Sequence, residues 1–424
     1  MELPKEDILQ HIFLNRLYKT TNLKTTDGDD LQILKTGTKN FNSGPDFLNS
    51  LIKINDTQLA GNIEIHVKAS DWLKHNHQTD LAYNNVILHV VLEADMEISV
   101  NQKPLPTLVL KGIVNENIFE NHESLLQAKT FVPCQKSIAN VPSIITHSWF
   151  DRMLAERIED KALMVNEIMQ NTNNSWEETF YQMLGYTFGF GLNKHTFLKT
   201  AQSLPLQIIA KHKNNITQIE ALLFGTAGLL NDYFADDYPK TLQNEYNFLK
   251  TKYQLKQFVR KQEWHFSKMH PTNFPSIRLA QFAQLIFTSS HLFSKILECK
   301  NITEIEKLFA ASVSEYWKTH YVFDTKSVAK NKNLGATSLQ LIIINTVVPV
   351  LYSYSKTNAK YRELALEYLQ NIAPERNGII KNWKATGVEV NNAYTSQALL
   401  HLKNNYCNNK LCLKCAVGGY LVKH

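Results

Sequence analysis

The chain has 424 residues, 44% of them apolar and 20% charged, the balance of a folded globular protein and not of a collagen-like or low-complexity chain. Its 15 glycines and 12 prolines are about half the usual shares, which points to a helix-rich body with short loops. The net charge of +6 permits nucleic acid as a partner without demanding it.

In chain order, Met1–Asp7 is acidic and carries no signal-peptide pattern. Glu6–Tyr18 places Ile8, Leu9, Ile12, Phe13 and Leu17 at helical spacing. Leu31–Leu34, Phe47–Ile54 and Leu59–Ala69 alternate as strands, and the turn Asn55–Asp56 joins the last two. Ser70–Asn85 is polar, with helical character. Val86–Leu92 is apolar on both faces, the pattern of a central strand. Near Asn140–Ser143 the pattern changes to long segments of helical period. They cover Ser148–Met169, Ser175–Phe188 (with Ser175 and Glu178 as a capping box), Glu220–Leu230, Thr241–Tyr253, Ile277–Cys299, Thr303–Ala311, Ser338–Tyr354 and Asn358–Ile372. No apolar run reaches the roughly 18 residues of a membrane span. The longest, Leu339–Tyr352, is broken by Asn345, Thr346 and Pro349. The expectation is an α/β domain over residues 1–140, a larger all-α domain over 141–424 ending in a Cys-rich segment (404–418), and a cytoplasmic address with no membrane.

Chemistry concentrates in Asn42–Phe47 (NSGPDF) and Gly61–Lys68 (GNIEIHVK). Side chains alternate along a strand, so Ile63, Ile65 and Val67 point one way and Glu64, His66 and Lys68 the other, roughly 7 Å apart. If the two strands form a hairpin, Asp46 approaches Glu64. Paired carboxylates suit a hard cation such as Mg²⁺ or Mn²⁺, and with a neighbouring His or Lys they form a phosphodiester-cleaving arrangement. The alternative is that Glu64, His66 and Lys68 are a solvated strand face.

Pro45, Asp46, Glu64 and His66 together resemble the PD-(D/E)XK nuclease core, in the very-short-patch-like variant with His where the main family has Lys. The resemblance covers roughly residues 1–110 and implies a mixed sheet with flanking helices. It also implies metal-dependent cleavage of DNA or RNA, in which Asp46 and Glu64 hold Mg or Mn and His66, or Lys68, assists water attack. A non-catalytic nucleic-acid or protein-binding module is the rival. Over nearly its whole length the chain also resembles an uncharacterised bacterial family, domain of unknown function 2851. The residues that carry this are Gly44–Phe47, Gly61–His66, Ser70–Trp72, His75–His77, Val86–Val91, Asn273–Pro275, Arg278 and the C-terminal cysteines. That family brings no activity with it.

His75, His77 and Asp80 could ligate a transition metal such as Zn²⁺ or Mn²⁺ in a metallohydrolase, or belong to a polar loop. His89, inside an apolar strand, reads as a hydrogen-bonded core residue. Cys407, Cys412 and Cys415 supply three clustered thiols, and Cys134 is the best fourth; Cys299 fits a buried core thiol. The set suits structural zinc, and it resembles the 4Fe-4S staple of some recombination and CRISPR-associated nucleases, which would pin the two domains together. Free thiols near a frayed terminus are the alternative. Finally, Lys250–Lys268 interleaves basic and aromatic residues. Arg260, Lys261 and Lys268 could neutralise phosphates, or form a solvated helix face. Ser276 could cap the following helix and Arg278 reach a phosphate near its N-terminus.

Overall fold

The computed structural model describes residues 4–256 and 258–424; residues 1–3, the start of the acidic stretch Met1–Asp7, lie outside the described residues. The chain divides into two units. The first comprises the residues up to Phe150 together with Asn382–Val388 and Leu402–His424, and the second comprises Asp151–Lys381 and Glu389–His401. The Cys-rich tail therefore groups with the sheet-bearing unit, whereas the sequence pattern assigned it to the helical domain.

The first unit opens with α1 (Glu6–Leu14), which buries Ile8, Leu9, Ile12 and Phe13. The strands follow: β1 (Leu23–Lys24), β2 (Asp30–Lys35), β3 (Thr38–Lys39), β4 (Phe47–Ile54) and β5 (Thr57–Lys68). Next come the short α2 (Asp71–Lys74) and two 3₁₀ turns (His77–Thr79 and Leu81–Tyr83), where the sequence showed only polar, helical character. They are followed by β6 (Val86–Glu93), the small hairpin β7 (Ser99–Val100) and β8 (Lys103–Pro104), β9 (Thr107–Val109), and α3 (Asn117–Gln127).

The main sheet runs β1-β2-β4-β5-β6-β9, with β3 beside β4. The pairs β1–β2, β2–β4 and β4–β5 are antiparallel, while β5–β6 and β6–β9 are parallel. This is a mixed sheet with β5 at its centre, buried on both faces over Ile63–Val67. Such burial explains why a strand bearing Glu64 and His66 also carries Ile63 and Ile65: neither face meets bulk water. Gly61 lies where β5 meets the entry to β6. A Cβ there would stand 2.6 Å from the Asn85 carbonyl oxygen and 2.5 Å from Ile87, so only glycine admits the approach.

The second unit is largely helical. From the first unit the chain enters it along α4 (Ser143–Asn171), and α5 (Trp176–Phe188) follows. Ser175 caps α5 by accepting the Glu178 N–H. Glu178 does not complete a capping box; its carboxylate takes the Gln182 amide and the Leu206 N–H instead. The segment expected as one helix, Ile277–Cys299, is two, Pro275–Thr288 and Leu292–Glu298. Ser276 lies inside the first of these, which starts at Pro275, and its hydroxyl donates to the Tyr321 carbonyl.

The apolar stretch 336–354 is helical and long enough by length and composition to cross a membrane, and 56% of it is buried within the fold. Its interruptions have a structural outcome, a π-turn at Ile343–Val347. Pro349 has no N–H to return to the turn before it. Lys161 reaches into the loosened turn, bonding the Ile344 carbonyl at 3.4 Å and Asn345 Oδ1 at 2.9 Å.

Glu220 is buried in the helix Ile216–Thr226, where the Tyr238 and Ser314 hydroxyls donate to its two oxygens. Burial pushes its carboxyl up from 4.5 to about 7 despite those donors. A raised carboxyl pKa means that the folded state holds the proton more tightly. Its contribution is complete below the unfolded pKa and is lost as pH rises through about 7. Between pH 5 and 8 the wild type should therefore lose up to about 3 kcal/mol relative to Glu220→Gln. Paired urea titrations of the two proteins at both pH values check this; parallel pH profiles would contradict it.

Candidate metal centre

Asp46 opens β4 and Glu64 lies in β5, and the antiparallel pairing of Phe47 with Ile63 brings them together. The Asp46 N–H donates to Glu64 Oε2 at 3.0 Å, and Asp46 Oδ2 accepts the Ile65 N–H at 3.1 Å. Gln10, from α1, donates to Asp46 Oδ1 at 2.7 Å. Each Asp46 oxygen thereby accepts one hydrogen bond and keeps acceptor capacity, and the second Glu64 oxygen, Oε1, faces the imidazoles.

Two histidines flank that oxygen, and a third lies against one of them. Glu64 Oε1 lies 3.5 Å from His66 Nε2 and 3.4 Å from His77 Nε2. His75 Nδ1 lies 3.2 Å from His66 Nε2. One nitrogen from each of His66, His75 and His77 falls within 4.8 Å of the others. Two donors on one tetrahedral ion with bonds of about 2.0–2.1 Å stand about 3.3 Å apart, close to the Glu64–His66, Glu64–His77 and His66–His75 separations.

The rings are held from behind. His66 Nδ1 is 2.8 Å from His89 Nε2, so His66 can present Nε2 to an ion while Nδ1–H donates to His89, the orienting contact that metal-ligating imidazoles use. His89 is thus the hydrogen-bonded core residue its strand suggested. His77 stacks on Tyr83 with ring centroids 3.8 Å apart, and the buried Trp72 meets His66, His77 and His89 edge-on.

Burial dominates the electrostatics. It pushes Asp46 up to about 7, with Glu64 adding to the effect, and Glu64 up to about 8. It drives His66 down to about 2, assisted by the neighbouring imidazoles, and His89 down to about 3. Glu6 is also raised, chiefly by burial. The cluster thus gathers the imidazoles of His66 and His89, held neutral by burial, beside carboxyls whose pKa values are raised. Lys39 is the cation whose charge reaches Asp46.

Other sequence candidates lie elsewhere. The Lys68 N–H bonds Asp71 Oδ2, and its ammonium acts on Glu93 and Asp95, away from Glu64. Asp80 is exposed and caps the next 3₁₀ turn through the Ala82 N–H, so it does not join His75 and His77. Arg278, expected to contact phosphate, is only 6% exposed. Its guanidinium is bound to Asn273, Gln281 and Ser338 and stacks on Phe190. Trp264 is buried and donates to the Ala227 carbonyl, which removes it from any base-stacking face. Arg260, Lys261 and Lys268 are exposed, and Lys261 pairs with Asp232. Glu6 and Gln10 escaped sequence reasoning; their signal was a polar pair four residues apart on one line of α1.

A family model described as "Protein of unknown function (DUF2851)" matches residues 6–378, and the chain belongs to that family. The C-terminal cysteines, which had seemed part of the resemblance, lie beyond the matched residues. No curated protein and no solved structure matches the chain.

Zn²⁺ or Mn²⁺ should raise the melting temperature of the wild-type protein, with a stabilisation of about 3 kcal/mol at a hundredfold excess over Kd. His75→Ala should lose most of that shift, and because His75 is exposed the metal-free melting temperature should hardly move. Differential scanning fluorimetry with and without metal reads both quantities; equal metal shifts in the two proteins would remove His75 from the site.

Proposed function

We propose that this chain is a metal-dependent nuclease in which Glu64, His66, His75 and His77 hold a transition-metal ion and Asp46 acts as the base beside it. The carrying observation is that one nitrogen each of His66, His75 and His77 lies within 4.8 Å of the others, with Glu64 Oε1 3.5 Å from His66 Nε2 and 3.4 Å from His77 Nε2. An imidazole-rich set suits Zn²⁺ or Mn²⁺ better than Mg²⁺. This shifts the proposed ligand role from an Asp46–Glu64 pair to Glu64 and the histidines, because it is Glu64 Oε1 that lies against the imidazole nitrogens.

A bound ion would lower the pKa of a coordinated water and offset charge developing on phosphate. The chain's own groups supply the rest. Asp46 takes the proton of the attacking water, whose oxygen bonds to phosphorus as the bond to one sugar oxygen breaks. Gln10 and the Ile65 N–H hold Asp46 in place. The half-buried Lys39 is placed to meet a phosphate oxygen. Support for a phosphodiester comes from the Pro45–Asp46 and Glu64–His66 pattern, from its position on adjacent strands of a mixed sheet as in PD-(D/E)XK enzymes, and from the net positive charge. DNA or RNA in the cytoplasm is the substrate setting this reading assigns.

With Mn²⁺ or Zn²⁺ the purified protein should cleave single- or double-stranded DNA or RNA. Glu64→Gln and Asp46→Asn should each reduce the rate by at least about a hundredfold. Lys24→Ala, an exposed position on β1, serves as the folded control. A gel assay across the four substrates decides it; cleavage that persists in Glu64→Gln, or no cleavage by the wild type under any metal, overturns the nuclease reading.

A further inference from the structure

We propose that Cys134, Cys407, Cys412 and Cys415 form a second, thiolate metal centre, independent of the histidine site, which holds a zinc ion or an iron–sulfur cluster and ties the chain's tail into the first unit. All four belong to that unit, although the long helical body separates Cys134 from the rest along the sequence. The expectation of a staple joining two domains therefore becomes a staple within one.

Each thiol is delivered by a locked turn. The Cys134 carbonyl accepts the N–H groups of Ser137 and Ile138 at 3.0 and 2.9 Å. The Cys407 carbonyl accepts the Lys410 N–H at 3.1 Å, and the Cys412 carbonyl accepts the Cys415 N–H at 3.2 Å. The last is a tight Cys-x2-Cys turn, the kind that aims two sulfurs at one ion. Gly418 lets the following helix, Ala416–Lys423, press on this turn: a Cβ there would lie 2.2 Å from the Cys412 carbonyl oxygen.

The surroundings fit anionic sulfur. Cys415 Sγ accepts the Val417 and Gly418 N–H groups and the Trp149 indole N–H. The ammonium groups of Lys403 and Lys410 favour the thiolates of Cys407 and Cys412, and they are anchored on the Phe131 and Leu126 carbonyls. The four thiols are free, and the Lys403 and Lys410 bonds hold the turn that carries Cys407 against the segment leading to Cys134. Binding of a dication would convert four thiols to a tetrathiolate of charge −2 and release four protons. Cys299 stands apart in the second unit and donates its S–H to the Lys295 carbonyl.

The test uses the full chain purified without oxygen, in a His75→Ala background so that metal on the histidine site does not count. Elemental and sulfide analysis should find about one zinc per chain, or about four irons with about four sulfides and a brown colour. Cys412→Ser and Cys415→Ser should each lose most of the metal, and Cys299→Ser none. Should the serine variants fail to fold, thiol counting replaces them: the native protein should expose one reactive thiol and gain four when the metal is stripped. Metal below a tenth of an equivalent, disulfides among the four, or metal unaffected by both serine variants overturns the proposal. Loss of nuclease activity alone would bear on the histidine site and not on this one.

Discussion

The reciprocal clasp between Asp46 and β5 fixes the first unit and its centre together. A backbone N–H of β4 feeds the Glu64 carboxylate, and the Asp46 carboxylate takes a backbone N–H of β5. The two bonds lie where the register of the β4–β5 ladder is irregular, between Phe47 and Ser50. Side-chain carboxylates thus satisfy amides near a bulge, and the chemical groups are placed by the same bonds that set the strand pairing. A one-residue slip would turn Glu64 and His66 to the opposite face and dissolve the centre.

That arrangement is costly without a cation. Two buried carboxyls with raised pKa values and imidazoles held neutral form a polar cluster that water does not reach freely. The cost falls on the central, most buried strand, with Trp72 and Tyr83 packed around the rings. Placing strain of this kind in a rigid sheet keeps donor positions fixed, which a short-bonded metal site requires.

Motifs that looked alike in the sequence meet different fates because burial sorts them. Arg278 and Trp264 fill the second unit's interior and hold its turns, whereas Arg260 and Lys268 remain on its surface. Lys161 makes the same point: its buried side-chain nitrogen, whose charged form burial disfavours, bonds a π-turn carbonyl, an Asn345 oxygen and Gln397, so it serves the helical fold. The hydrogen-bond partners that decide these roles come from segments distant in sequence.

The amino-acid sequence by itself determined what is periodic or local. Two-residue alternation marked β4 and β5, a run apolar on both faces marked β6, helical spacing marked the C-terminal body, and Pro45–Asp46 with Glu64–His66 marked the strands that bear the carboxyl and imidazole groups. Only the tertiary structure decided which donors converge. It drew His75 and His77 in through the 3₁₀ turns and left Asp80 as a cap. It turned Lys68 toward Glu93 and Asp95, and it recruited Gln10 and His89 as supports. It also returned the tail cysteines to the unit that holds Cys134. Periodicity records which face of an element is apolar, but a ligand set is fixed by where separate elements cross, and that depends on packing between residues tens to hundreds of positions apart.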